Sequence, residues 1–512
     1  MKLKAFYIKS ILMKTFLTAV LLFLLLSPAY GRDEESFKQD GYEFTLWTDT
    51  TVVISDADFG ESIPLTEDGT LVLPTSVTFE GKTYLVERIG KYAFAGRGEI
   101  KHLVIGEGVT DIEPYAFYRC SGLESIHFPS TFECAPCYDS DGIFLGCSNL
   151  RRITVDERNR EFDSRDGCNG LIVTESNTLF LGCRGTEIPS SVTTIGPRAF
   201  ESSHNLERIV LPEGVRRIEY CAFRNCTNLK EVVLPSTLDS IGGSLFEGCG
   251  SLESIRIPRN VTKVSSRVFQ GCYSLKEVVV DERNRTFDSR HHCNAIIDSA
   301  QDTIVAGCGA SVILEGIKGI GAEAFSDTDV RSIYIPKSVR KIGEMAFSGC
   351  QFCNTINVHP KNPVYDSRDN CNAIIETATD KLVQGCSVTS IPGSVKELGD
   401  YSFWRMILPP CLVIPEGMEV IGEHVFSRFC GIERVQLPSS LKHIKSYAFM
   451  GCNVLSYVDM SRCSPSIEKY AFTHCKNLHL IDFSPTPGDI SSQAFSDTPF
   501  EERLDKILER SK

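Results

Sequence analysis

The chain repeats one phrase about every twenty-three residues, and this repeat limits its fold more than any other feature. Fuller copies read Leu-x-x-Ile/Val-x-Leu-Pro-x-x-Val/Leu-x-x-Ile-Gly-x-x-Ala-Phe-x-x-Cys. The phenylalanine of each copy recurs at Phe94, Phe117, Phe144, Phe200, Phe223, Phe246, Phe269, Phe325, Phe347, Phe403, Phe426, Phe449, Phe472 and Phe495. Because self-similarity at a fixed period of this size is typical of solenoids, we predict stacked coils rather than several globular domains.

Each repeat predicts two short strands and a turn. The stretch Leu-x-x-Ile-x-Leu-Pro, as in Leu206–Pro212, is typical of a strand that ends at proline, since proline cannot donate to a sheet ladder. The stretch Val-x-x-Ile-Gly predicts a second extended piece, and Gly-x-x-Ala-Phe-x-x-Cys places apolar residues on one side of a single helical turn. One coil cannot bury these faces alone, so about fourteen stacked coils are expected to share a continuous core.

The period is broken at three places, where consecutive markers lie fifty-six residues apart. Each long interval carries Asp-Ser-Arg, then Cys-Asn and apolar stretches joined by polar turns, as in residues 295–305. This alternation predicts a β-hairpin within a longer coil variant that stays in the stack. The inserts lie between Phe144 and Phe200, between Phe269 and Phe325, and between Phe347 and Phe403.

Segments without the phrase flank the repeats. Lysines followed by the apolar run 16–26 and a small-x-small cleavage site predict a signal peptide over residues 1–31. Residues 32–85 alternate apolar and polar side chains and contain a Glu-Gly hairpin turn, which predicts an N-terminal β cap. The repeats fill residues 86–497, and residues 498–512 predict an amphipathic C-terminal helical cap with an apolar stripe. The stripe consists of Phe500, Leu504, Ile507 and Leu508.

The charge of the chain argues against nucleic acid and anionic lipid as partners. Residues 1–31 contain four lysines and no acid, so their removal takes the formal charge from −13 to −17. An acidic protein of this kind repels phosphates, and no basic cluster offsets the charge. No second hydrophobic stretch follows the apolar run, so we expect no membrane span in the mature chain.

The cysteines follow the repeat. Of the 21 cysteines, eight lie three residues after the marker phenylalanine: Cys120, Cys147, Cys226, Cys249, Cys272, Cys350, Cys452 and Cys475. Because equivalent positions in adjacent coils lie about 4.8 Å apart, farther than a disulfide prefers, we expect stacked free thiols there. Six others form pairs fifteen residues apart, for which disulfides and free thiols both remain open: Cys168/Cys183, Cys293/Cys308 and Cys371/Cys386.

The Asp-Ser-Arg copies are the leading candidates for a site. Their acids are Asp163, Asp288 and Asp366, and their bases are Arg165, Arg290 and Arg368. Together these side chains are suited to a cation or a glycan. The alternative, which we favour, is that Asp and Ser make turn hydrogen bonds while Arg pairs with a neighbouring coil.

Other motifs give little support for chemistry. Cys134 and Cys137 form a single CxxC, which favours a local disulfide or buried thiols over zinc or redox chemistry. The pair His291-His292 replaces Asp166-Gly167 and Asp369-Asn370 of the other inserts and is interpreted as turn variation. Metalloprotease, phosphate-loop and nucleophile-elbow motifs are absent from the sequence, so we predict no enzyme, no catalytic, metal or cofactor-binding residues and no cofactor. Three glycosylation acceptor matches occur, at Asn225, Asn260 and Asn284.

These phrases resemble the BspA-like (Treponema-type) leucine-rich repeat family over nearly all of residues 86–497. The longer Asp-Ser-Arg variant is similar to that of Bacteroidales surface and secreted proteins. The resemblance implies an α/β leucine-rich-repeat solenoid, β-rich with short helical turns and one parallel strand per coil, which we expect to be capped at both ends. It implies no enzyme chemistry, and it implies adhesins that bind host matrix proteins or other cells.

Two functions follow from the sequence. The first is a secreted or cell-surface, adhesin-like protein that binds a protein ligand through the outward x positions of its strands. Those positions include Glu207/Arg208, Lys230/Glu231, Glu253/Ser254 and Glu433/Arg434. The second is a structural or assembly component of the bacterial periplasm or envelope that binds a bacterial protein or glycan. Single ligand-binding residues are not named by the repeat, because its pattern dictates only the buried positions.

Overall fold

The repeat phrase folds into a β-solenoid of about 17 turns with almost no helix. The structure is a computed structural model that describes residues 35–56, 63–133, 142–428, 431–484, 488–501 and 503–504. The signal peptide predicted for residues 1–31, the Cys134/Cys137 pair and most of the predicted C-terminal helix lie outside these residues. The turns exceed the fourteen marked coils, in keeping with one added turn for each insert.

The first strand of each coil, here called the Leu-Pro strand, lies in parallel register with its equivalents. Residues twenty-three apart face each other, as Arg208 faces Glu231 and Ile209 faces Val232. Their inward side chains are buried and their outward ones are exposed, which is the alternation that the sequence predicts. The Leu-Pro strands are Thr70–Val72, His102–Val104, Ser125–Phe128, Arg152–Val155, Arg208–Val210, Glu231–Val233, Ser254–Ile257, Glu277–Val280, Ser332–Ile335, Thr355–Val358, Cys411–Val413, Arg434–Gln436, Tyr457–Met460 and Leu480–Phe483.

The second strand of each coil, here called the Ile-Gly strand, is shorter and forms a second parallel ladder. Most members are two residues long because the following turn begins at once. The Ile-Gly strands are Lys82–Ile89, Asp111–Ile112, Thr194–Ile195, Arg217–Ile218, Ser240–Ile241, Lys263–Val264, Gly319–Ile320, Lys341–Ile342, Glu397–Leu398, Val420–Ile421, His443–Ile444 and Ser466–Ile467.

The four remaining N-terminal strands form a sheet with Lys82–Ile89. The predicted Glu80-Gly81 turn joins two of these strands in an antiparallel hairpin. Phe37 stacks on Phe79 with ring centroids 4.1 Å apart, and Tyr42 meets the first marker, Phe94, edge-on. The sheet therefore packs against the first coil. The four strands are Ser36–Gln39, Tyr42–Leu46, Thr51–Asp56 and Ser76–Phe79.

The segment between the Ile-Gly strand and the marker is a series of hydrogen-bonded turns rather than a helical turn. The residue two positions before the phenylalanine adopts a left-handed conformation, with φ 60° at Tyr447 and 61° at Tyr470. A residue in this conformation cannot continue a right-handed helix. Helical structure in the described part of the chain is confined to residues 501 and 503–504 and to the 3₁₀ turns Arg165–Gly167, Arg290–His292 and Arg368–Asn370.

The predicted hairpin is present in all three inserts. In each insert a two-residue strand pairs antiparallel with the hairpin, and the hairpin pairs in parallel with the next Ile-Gly strand. A new sheet therefore starts at every insert. The insert strands are Phe162–Asp163, Leu171–Val173, Thr178–Leu181, Phe287–Asp288, Ala295–Asp298, Thr303–Gly307, Tyr365–Asp366, Ile374–Glu376 and Lys381–Gln384.

The marker phenylalanines form stacks inside the solenoid. Phe426 lies 5.7 Å from Phe403 and 5.0 Å from Phe449, measured between ring centroids, and its side chain is fully buried. The inserts interrupt these stacks, and the buried hydrophobic residues divide into four clusters that meet at the inserts. The core is therefore segmented, in contrast to the continuous core that the repeat predicts.

The eight repeat cysteines are free and buried, as the sequence predicts. Each thiol donates a hydrogen bond to the carbonyl oxygen of the marker phenylalanine in the preceding coil, as Cys226 does to Phe200 at 3.1 Å. Burial raises the pKa of Cys249 to about 12, so its reactive thiolate is scarce at neutral pH. The six cysteines spaced by fifteen residues are also free and buried.

Native thiol labelling tests this arrangement. In a variant with Cys134, Cys137 and Cys430 replaced by serine, we expect one thiol per chain to react quickly with Ellman's reagent, because Cys411 is the exposed one among the described cysteines. Unfolding in guanidinium should expose all 18 remaining thiols. Adding Cys411→Ser should abolish the native reaction. Rapid reaction of several native thiols would contradict the buried ladder.

Candidate binding surfaces

The Asp-Ser-Arg residues make structural contacts in all three inserts. In the third insert, the Arg368 guanidinium donates to both carboxylate oxygens of Asp366, with its Nη2 2.7 Å from Oδ2, and its Nη1 donates to Asp380 at 2.8 Å. Ser367 donates to the Ile356 carbonyl oxygen at 3.2 Å, which ties the insert to the preceding Leu-Pro strand. Bidentate pairing of this kind occupies the polar atoms that a ligand would need.

The other two inserts repeat the pairing of arginine with aspartate, while Ser164 donates to the Ile153 carbonyl oxygen and Ser289 accepts the Val280 N–H. Arg165 pairs with Asp163, and Arg290 pairs with Asp288. Burial opposes ionisation of Asp163, but hydrogen bonds from Arg165 and Thr174 outweigh it and lower its pKa. The arginine was expected to reach a neighbouring coil, whereas in each insert it bonds to the hairpin turn of its own insert, twelve residues later. Arg368 in addition donates to the Ser394 hydroxyl of the following coil at 3.4 Å.

His291 and His292 are exposed and left-handed, with φ of 53° and 54°. They occupy the 3₁₀ turn that Asp166-Gly167 and Asp369-Asn370 occupy in the other inserts, so the interpretation as turn variation is confirmed. Within the described residues no group of three or more His, Cys, Asp or Glu has the arrangement of a metal site.

The outward side chains of the Leu-Pro strands are exposed, as predicted, but many of their charges neutralise each other between coils. Arg208 lies 2.8 Å from Glu231, Lys230 lies 3.2 Å from Glu207, and Arg256 lies 3.6 Å from Asp281. Exposed pairs of this kind contribute little stability and leave no concentrated charge for a partner. The outward face of the Leu-Pro strands is therefore a weaker candidate for a binding surface than the sequence suggests.

A stronger candidate lies on the edge that follows the marker turns. Four partly exposed apolar side chains from three coils lie there, and sequence reasoning missed them; we call them the aromatic edge: Tyr273, Phe352, Trp404 and Ile407. Phe352 is 48% exposed and Ile407 is 65% exposed. The Tyr273 and Phe352 rings meet edge-on with centroids 6.2 Å apart. The edge thus offers large apolar groups to solvent.

A buried carboxylate, paired with the partly exposed Arg405, holds the aromatic edge together. Asp327 is 4% exposed; its Oδ1 accepts from Arg405 at 2.9 Å, and its Oδ2 accepts from the Gln270 amide at 2.5 Å. Burial raises the pKa of Asp327, although Arg405 and Gln270 act in the opposite direction. The Arg405 guanidinium also lies 5.2 Å from the Trp404 ring. One carboxylate therefore joins three coils beneath the exposed rings.

Gly349 lies between Asp327 and Trp404, and its lack of a side chain allows Arg405 to reach Asp327. Its φ is +74°, and a Cβ added there would lie 2.8 Å from Cγ of Asp327 and 3.2 Å from the Trp404 ring. Any side chain at this position would separate Arg405 from Asp327, since it would occupy the space through which they meet.

A ladder of stacked rings continues from the edge toward the C-terminus. Trp404 meets Tyr401 edge-on at 6.3 Å, and Tyr401 stacks on His424 at 4.9 Å. Tyr447 lies 4.8 Å from His424, and Tyr470 lies 5.4 Å from Tyr447. Burial lowers the pKa of His424, and Arg428 lowers it further, which favours the uncharged ring within the stack.

A family model for the BspA type leucine-rich repeat region matches residues 75–166, 176–296, 318–407 and 396–503. The chain belongs to this family. The match covers more than half of the sequence and agrees with the solenoid geometry. Among curated proteins, none matches this member of the family. In the described part of the chain, no helix has the length and apolar character needed to cross a membrane.

Several solved structures are similar to this chain. A leucine-rich repeat protein from Bacteroides ovatus is 23% identical, with 90% of this chain and 92% of that one covered and a TM-score of 0.33. A leucine rich cell surface protein from Faecalibacterium prausnitzii is 18% identical, with 91% and 98% covered and a TM-score of 0.36. The pneumococcal vaccine antigen PcpA is 15% identical, with 94% and 97% covered and a TM-score of 0.33.

Proposed function

We propose that this BspA-type repeat protein is a secreted or cell-surface, adhesin-like protein that binds a protein ligand through the aromatic edge. The observation that carries the proposal is the exposure of Tyr273, Phe352 and Ile407 around the ion pair between the partly exposed Arg405 and the buried Asp327. Aromatic side chains and arginine dominate the energetic centres of protein interfaces, because they bury much area at little conformational cost.

The rigidity of the edge supports the same proposal. Its rings are carried on turns that are hydrogen-bonded between coils, as Gly271 N–H is to the Asp327 carbonyl oxygen at 2.9 Å. A surface that is already ordered loses little entropy when a partner binds. The neutralised Leu-Pro strand face would then act as the polar surround rather than the centre of the interface.

Capture of partners tests the proposal. The purified protein is used to capture proteins separately from host matrix and bacterial envelope extracts, and the affinity for each retained partner is measured. We expect Phe352→Ala and Ile407→Ser to weaken the affinity at least tenfold, since central apolar contacts are lost. Tyr334→Ala is the matched control, because Tyr334 is 50% exposed on a Leu-Pro strand away from the edge.

Two results would contradict the proposal. Equal affinities of the edge variants and wild type would show that the aromatic edge is not the interface, and loss of affinity in the Tyr334 control would indicate the strand face instead.

The location of the protein is tested by protease treatment of intact cells, where cleavage without opening the outer membrane is expected. Protection until that membrane is opened would favour the periplasmic role.

A further inference from the structure

The third insert leaves a cleft of about 290 Å³ between two successive marker turns. We call it the acidic cleft. Its walls are the turn 343–347 and the turn 399–401, and its floor is the insert strand residues Glu376, Lys381, Val383 and Gln384 together with Tyr365. Tyr401 belongs both to the cleft wall and to the stacked rings that continue from the aromatic edge.

The second insert closes the same gap with side chains. Arg267 and Glu323, each two residues before its marker, pair across the junction with Nε 2.6 Å from Oε1. At the third insert the equivalent residues are Met345 and Tyr401, which cannot form an ion pair. The open cleft therefore follows from a change in side chains on a repeated backbone.

The lining of the cleft carries excess negative charge. Glu344, Glu376 and Asp400 contribute three carboxylates, whereas Lys381 contributes one ammonium group. Lys381 is already engaged by Glu397 at 2.9 Å, outside the lining set. Lys445 also lies 3.8 Å from Asp400 and 3.9 Å from Glu397, so four carboxylates face two ammonium groups. A ligand that enters therefore meets an excess of carboxylate oxygens, which selects a cation with hydrogen-bond donors.

Two tyrosines add to this selection. The Tyr365 side chain is 5% exposed, and its phenol oxygen accepts the Ile342 N–H at 3.0 Å. Tyr401 stacks on His424 on one side, with an interplanar angle of 13°, which leaves its other face for a ligand in the cleft. A planar cation stacks on an aromatic face while its N–H groups bind carboxylates in pairs, and this combination matches guanidinium better than ammonium.

We propose that the acidic cleft binds a basic side chain, arginine in preference to lysine, presented by the protein partner. This inference rests on the proposed function. It requires that the partner that covers the aromatic edge also presents an arginine next to the surface with which it covers that edge. The chemistry is recognition of one cationic group by the three carboxylates and the Tyr401 ring.

Binding of small probes tests the cleft without the partner. L-arginine amide and the nearly isosteric but neutral-headed L-citrulline amide are titrated into the purified protein and followed by ligand-detected NMR. We expect arginine amide to bind at least tenfold more tightly. Glu376→Gln combined with Asp400→Asn should weaken the binding of arginine amide at least tenfold. Glu277→Gln, which removes an exposed acid of a Leu-Pro strand, should leave that binding unchanged.

Met345→Arg tests the cleft by filling it with a side chain rather than by removing a carboxylate. It restores an arginine where Arg267 stands at the second insert, so it should fill the cleft and abolish probe binding while the unfolding midpoint is retained. Equal binding of the two amides would overturn the proposal that the acidic cleft binds arginine. Unchanged binding of arginine amide by the Glu376→Gln/Asp400→Asn and Met345→Arg variants would overturn it as well.

The partner assay separates this inference from the proposed function. If the probes bind as expected but the Glu376→Gln/Asp400→Asn variant keeps full affinity for the captured partner, the inference fails and the aromatic edge stands. If Phe352→Ala and Ile407→Ser leave partner affinity unchanged, the proposed function fails, whatever the probes show.

Discussion

Phe426→Ala is expected to lower the free energy of unfolding by about 3–5 kcal/mol, the usual cost of truncating a buried phenylalanine. Phe426 is fully buried and its ring is stacked between Phe403 and Phe449, so the cavity cannot collapse from either side without disturbing a neighbouring coil. Urea unfolding measures the loss.

The loss should spread to adjacent coils rather than to the whole chain. In a solenoid each repeat contacts only its neighbours, so amide hydrogen exchange should accelerate first in the coils of Phe403 and Phe449. Coils beyond the second insert belong to other hydrophobic clusters and should keep their protection. Uniform acceleration along the chain would contradict the segmented core.

Phe352→Ala is the control for this prediction. It removes the same side chain from a position that is 48% exposed, where the cost should stay within about 0.5 kcal/mol. Equal destabilisation by the two variants would mean that the Phe426 stack contributes no more than a surface ring. The comparison also shows that weaker partner binding by the Phe352 variant does not come from unfolding.

The buried half of the fold could be predicted because each core position recurs at one register. Phe426 and Cys452 lie where every other coil carries the same type of residue, and both are buried. The left-handed position two residues before the marker gives no such signal. It holds residues as different as Tyr447, Met345 and Arg198, and glycine occurs there once, at Gly142, so sequence periodicity favours a helical turn there.

The aromatic edge could not be predicted, because it does not follow the repeat. Tyr273 and Ile407 come four residues after their markers, and Phe352 comes five after Phe347. The preceding marker, Phe325, lies only twenty-two residues before Phe347. Arg405 and Asp327 are 78 residues apart and meet only because Gly349 leaves room between them. The cleft likewise depends on which residues face each other across an insert.

Asn362→Leu is expected to destabilise the third insert by about 3 kcal/mol, because it leaves the N–H groups of Val364 and Tyr365 without an acceptor. The Pro336 and Val339 carbonyl oxygens keep the Val339 N–H and the Arg340 guanidinium as donors. The Asn362 amide donates to the carbonyl oxygens of Pro336 and Val339 at 2.7 and 3.1 Å. Its oxygen accepts the N–H groups of Val364 and Tyr365, each at 2.9 Å. Thermal unfolding measures the loss, with Asn354→Leu, at an exposed position, as the control.

The same asparagine links the fold to the proposed cleft. It joins the preceding coil to the strand Tyr365–Asp366, and Tyr365 forms part of the cleft floor. Asn362→Leu should therefore weaken arginine amide binding even at a temperature where the chain remains folded. The equivalent change at Asn284, which makes the same four hydrogen bonds in the second insert, should cost similar stability without affecting the probe. Loss of probe binding in both variants would indicate that general destabilisation of the chain, rather than a local change in the cleft floor, weakens binding.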